Sequence, residues 1–129
     1  RERIRTTGKG PWEFAVRRWA QLAVKTKNRE SLWRALGILR SRYGRTELTH
    51  LLKGQFYMAT GNLEVAEREF SRARRAVMAD PRLKLQYLIS LIGTHRETSA
   101  RSLCNRNEKW PAWIMPKVRE TCAKLETKR

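Results

Sequence analysis

The chain has 129 residues and a mass of 15.2 kDa, enough for one domain with a real but shallow core. It carries 29 Lys and Arg against 12 Asp and Glu, a formal charge of +17, which opposes compaction and calls for a polyanionic partner. A hydrophobic content of 40% with five Trp excludes a disordered basic tail, and no apolar run approaches the roughly 20 residues of a membrane span.

After a basic arm at residues 1–10, almost every segment follows the 3.6-residue period and none alternates as a strand, so residues 11–129 read as one all-α domain. Pro11 opens a first helix reaching about Lys27, with Trp12, Val16, Trp19 and Ala23 as its apolar stripe, widened by Ala15 and Leu22. Asn28 caps a second, carrying Leu32, Leu36, Leu39 and Tyr43, and Gly44 ends it. Thr46 is the expected cap of a third helix, with Leu48, Leu52, Phe56 and Ala59, stopping at Gly61. Asn62 opens a fourth, continuous to about Asp80, with Ala66, Phe70, Ala73 and Val77 inward.

Asp80-Pro81 is a strong start signal for a fifth helix, whose Leu83, Leu85, Leu88, Ile89, Leu91 and Ile92 point all round its axis. Such a helix is expected to be covered on most sides. A sixth is expected over 99–107 and a seventh from Pro116 through Val118, Cys122 and Leu125. Between them lies WPAWIMP, with Trp110 before the first of two prolines and Trp113, Ile114 and Met115 between them, either folding back over the last hairpin or docking on a partner.

Within GQFYMATGNLEVAEREFSRA, Gly54 and Tyr57 are spaced G-x-x-Y, Gly61 follows, and Ala66 and Phe70 are spaced A-x-x-x-F before Ala73. This pattern resembles a tetratricopeptide repeat, in which small residues let two helices touch and large ones fill the gaps. The resemblance implies a short right-handed superhelix of three antiparallel hairpins plus a C-terminal capping helix. A shift of 34 residues carries Ala66 to Ala100 and Phe70 to Cys104, and back to Leu36 from Phe70. His50 and Lys53 stand where the family usually has apolar side chains.

Charge is unevenly placed. Residues 1–45 hold 13 basic and 3 acidic side chains, residues 46–80 hold 5 of each, and residues 81–129 hold 11 and 4. A neutral hairpin thus sits between basic flanks. Arginine forks and interleaved aromatic rings suit RNA phosphates and unpaired bases. The candidate contacts are Arg1, Arg3, Arg5 and Lys9 in the arm, and Arg17, Arg18, Lys25 and Lys27 with Phe14 on the first helix. Arg40, Arg42 and Arg45 follow at the end of the second, near Trp33, for which packing against a neighbouring helix is the competing reading. Arg68, Arg72 and Arg75 form a further row, with Glu64 placed to pair with Arg68.

Cys104 and Cys122 lack metal-site spacing and have no His nearby in sequence, so no zinc site is expected; free thiols in a reducing compartment and a single disulfide are both open. No phosphate-binding loop, nucleophile elbow or paired-His motif occurs, and no cofactor or small-molecule substrate is implied. An initial Arg in place of Met is expected of a processed form or a fragment. The expected function is a non-enzymatic, RNA-associated scaffold among neighbouring proteins, such as a component of an organellar ribosome. The alternative is an adaptor that binds an acidic protein. The expected setting is intracellular, with a mitochondrion as one location.

Overall fold

A computed structural model describes residues 11–127, and among these the fold is all helix with no strand. The helices are α1 (Pro11–Lys25), α2 (Arg29–Tyr43), α3 (Thr46–Ala59), α4 (Leu63–Arg72), α5 (Arg74–Ala79), α6 (Pro81–Gly93), α7 (Glu97–Cys104) and α8 (Met115–Thr127). A short 3₁₀ turn, Ala112–Ile114, precedes α8. The four arginines and lysines named in the arm lie outside the described residues.

Helices pack with their chain neighbours and then with the first helix of the next pair. Thus α1 lies on α2 and α3, α3 on α4 and α6, and α6 on α7 and α8, while α4 and α5 also cover α6. No residue from Leu83 to Ile92 is exposed, so α6 is enclosed as its sequence demands.

The connections repeat in atomic detail. The second helices start at Arg29, Leu63 and Glu97, 34 residues apart each time, and Leu32, Ala66 and Ala100 are all fully buried. Before each comes the same three-residue turn. Thr26, Thr60 and Thr94 each donate through Oγ1 to two carbonyls of the preceding helical turn. Lys27, Gly61 and His95 follow in the left-handed region, at φ 57°, 86° and 63°. The next amide closes each turn: Asn28, Asn62 and Arg96 donate to Ala23, Tyr57 and Leu91. Asn28 and Asn62 then cap through their side chains, which Arg96 does not.

Two apolar clusters result, one formed by α1–α3 and the other by α4–α8. Tyr57 touches both. Its ring meets Phe56 and Trp33 edge-on, at centroid separations of 5.4 and 6.2 Å. Gly54 lets α3 come down on α4: a Cβ added there would stand 2.5 Å from the buried Phe70 ring. His50 and Lys53 also have partners. His50 Nδ1 lies 2.7 Å from Glu69 Oε1 across α3 and α4, and the Lys53 ammonium sits 5.5 Å from the Trp33 ring centre.

Several local expectations are corrected. Arg45, not Thr46, holds the N-cap position of α3, without a side-chain cap bond; Thr46 enters the helix, where its carbonyl accepts from Thr49. Ala59 is exposed at the end of α3. The fourth helix breaks at Ala73, whose N–H reaches back only to Phe70, and the chain restarts as α5 with Ala73 and Val77 still buried. The sixth expected helix starts earlier and stops at Cys104, where the disulfide to Cys122 holds it to α8. Of the two cysteine readings, the structure has the bridge.

Glycine contacts give opposite expectations for one substitution. Gly54→Ala drives a methyl into Phe70 and should lower stability by about 1–3 kcal/mol in urea unfolding. Gly37→Ala, in α2 with nothing within 4 Å, should raise it by about 0.5–1 kcal/mol. The repeated turn predicts that Lys27→Gly and His95→Gly each raise the melting temperature, relieving roughly 1 kcal/mol of left-handed strain apiece.

Candidate nucleic-acid interface

The buried face of α1 is Glu13, Val16, Ala20 and Ala23: Val16 and Ala23 are shared with the expected stripe, and Glu13 and Ala20 replace Trp12 and Trp19. Trp12, Ala15 and Leu22 are consequently exposed, and Trp19 is half-buried against the first cluster. The Glu13 carboxylate accepts from Arg17 at 3.2 Å, one turn on, and from Arg45 at 2.7 Å, at the start of α3. Only 3% of Glu13 is exposed. The Arg45 bonds hold its carboxyl below the ordinary glutamate range; burial opposes this and Arg17 adds to it. The same contact raises Arg45 above its ordinary value.

This register carries Phe14, Arg18, Gln21 and Lys25 outward along one line of α1. With Leu22, Val24 and Gln55 of α3 they line an open groove of about 550 Å³. Phe14 is 62% exposed, and the Arg18 guanidinium lies 5.8 Å from its ring centre. The groove therefore offers an open aromatic face, two cations and two amides, a set suited to a planar, anionic ligand.

The candidate RNA contacts separate accordingly. Arg18 and Lys25 share the groove, whereas Arg17 and Arg45 bind Glu13. Lys27 is exposed in the first turn, and Arg40 and Arg42 are exposed in the last turns of α2. Trp33 is half-buried against Phe56 and Tyr57, with Arg29 4.9 Å from its ring centre, which is the packing arrangement. The Glu64–Arg68 pair does not form, and Arg68, Arg72, Arg74 and Arg75 stand exposed without an ion pair to another described residue. Glu13 as a hub and Gln55 as a wall are absent from the sequence reading. The 13-16-20-23 spacing was the available signal for Glu13, and nothing local marks Gln55.

The candidate docking segment also divides. Trp110 Nε1 donates to the Leu103 carbonyl, and the Lys84 ammonium lies 4.4 Å from its ring centre. Lys84, itself buried, reaches Glu108 at 2.6 Å and the Lys109 carbonyl. Ile114 is buried and Met115 half-buried, while Trp113 is 60% exposed.

Among the described residues no cluster of His, Cys, Asp or Glu fits a metal ion, and no helix is long and apolar enough to cross a membrane. Comparison of the chain with protein-family models, with curated proteins and with solved structures gave no match.

Glu13 makes stability fall in acid. Its carboxyl titrates lower in the folded protein than in the unfolded chain, so its contribution is full above the ordinary value of 4.5 and lost as the pH drops through the folded value. Glu13→Gln should lower the melting temperature at pH 7, and the gap from the parent should close in acid. Thermal scans of both proteins from pH 7 to pH 3 check this.

Proposed function

We propose that this protein is a non-enzymatic RNA-associated scaffold built as a short tetratricopeptide-like superhelix. The 34-residue recurrence of the turns and the Gly54–Phe70 contact support the repeat reading. The observation that carries the RNA reading is the α1–α3 groove, where Phe14 lies open beside Arg18 and Lys25. Base–aromatic stacking contributes about 1–3 kcal/mol per base, and the cations take the phosphates. Exposed arginines elsewhere, on α2 and along α4–α5, favour an extended polyanion over a ligand held in one groove. A component of a ribonucleoprotein such as an organellar ribosome fits this distribution. The disulfide argues for a setting oxidising enough to keep it closed.

The second reading is an adaptor for an acidic protein segment. Its support is the place of the groove, between the leading helices of two successive pairs.

Binding of a single-stranded RNA to the full chain should weaken linearly with log salt concentration. The double substitution Arg18→Gln, Lys25→Gln should flatten that slope by about 1.4, two phosphates at roughly 0.7 each for a single strand. Phe14→Ala should weaken binding by about 1–3 kcal/mol and leave the slope unchanged. Undetectable RNA binding at low salt, with one stoichiometric acidic protein partner surviving nuclease treatment, overturns the RNA reading in favour of the adaptor.

A further inference from the structure

A second groove lies at the far end of the fold, between α6 and α8. Arg82, Leu85, Gln86 and Ile89 form one wall; Trp113, Ile114 and Lys117 form the other, around a volume of about 350 Å³. That volume is at the small end for a ligand site. Three features bear on what it takes. Trp113 stands 60% exposed beside the groove, with the Arg82 guanidinium 5.4 Å from its ring centre. Arg82 and Lys117 place positive charge on opposite walls. Gln86 Oε1 is enclosed yet accepts no hydrogen bond, the one such side-chain atom among the described residues.

A buried acceptor without a donor costs free energy and is uncommon in native proteins. The terminal torsion of glutamine is soft, so the carboxamide turns readily toward a donor entering the groove. The complement of these groups is a flat ring to lie on the indole, an N–H for Gln86, and an anion between Arg82 and Lys117. An unpaired nucleotide has all three. An acidic peptide supplies the anion and the N–H but not the ring, leaving Trp113 unused.

We propose that the α6–α8 groove is a mononucleotide subsite, which holds one unpaired base of a bound RNA against Trp113 with its phosphate between Arg82 and Lys117. The assignment rests on the RNA reading for its biological ligand and on separate residues for its chemistry.

The test is a titration of the full chain with adenosine monophosphate, followed by amide and indole nuclear magnetic resonance signals. The expected result is saturable shifts at the Trp113 indole and the Gln86 carboxamide. Trp113→Ala should weaken binding about tenfold or more, and Trp113→Phe should retain most of it. Lys117→Gln should weaken the nucleotide while leaving adenosine unaffected. The Phe variant, with unchanged circular dichroism in both, separates a lost stacking surface from a lost fold. Equal shifts with ribose 5-phosphate or with a glutamate-rich peptide, or none at millimolar nucleotide, overturn the proposal. Because α1 and α3 contribute nothing to this groove, that failure leaves the RNA reading of the Phe14 groove standing. Saturable nucleotide shifts in a chain that fails to bind bulk RNA support the nucleotide chemistry of this groove and overturn RNA as its source.

Discussion

The arrangement depends on one close approach. Gly54 presents a bare backbone to α4, and the Phe70 ring fills the space that a side chain on α3 would take. With α4 held there, its inner face and that of α5 are left to cover α6, whose apolar side chains need shelter all round. Tyr57, one turn beyond Gly54, stands at the seam between the two cores and couples them. A bulkier residue at position 54 moves two helices and both cores at once, because packed interiors absorb volume changes poorly.

Electrostatics follow from where the carboxylates go. Glu13, Glu67 and Glu69 are buried, and each serves a specific partner: Arg45 and Arg17, Ser71 and Arg96, and His50. None of the three is thus available to the exposed arginines of α4 and α5, while on α2 Arg34 pairs with Glu30. Buried ion pairs add little net stability, since desolvation offsets attraction. Glu13 lies on the inward face of α1, while Trp12 and Phe14 lie on faces open to solvent.

Much of this was legible in the residues. Asn28, Gly44, Asn62 and Asp80-Pro81 mark helix ends by local chemistry, and the structure uses each as read. The buried face of α1 was not legible, because Trp12, Phe14, Ala15, Val16 and Trp19 offer apolar stripes on adjacent faces. The face that is buried carries Glu13, whose partner Arg45 is 32 residues away in sequence. The recurrence of the turns was hidden for a different reason. Backbone conformation repeats at Lys27, Gly61 and His95 while side-chain identity does not, so only the Thr before each preserves the trace. The cysteine spacing allowed a bridge or two thiols alike, and only the approach of α7 to α8 selects the bridge. The Phe14 groove was half visible: its α1 wall was read from helical spacing, its α3 wall was not.

The bridge between α7 and α8 also gives the molecule a direction. Local opening starts where an element has the fewest ties to the rest of the fold. One end here is riveted by a covalent crosslink, whereas the α1–α2 pair is held by side-chain packing and the Glu13 contacts. Breathing motions should therefore begin at the aromatic-rich first helix. Of the two grooves, the one that carries Phe14 is then the more adaptable, and the one beside Trp113 the stiffer.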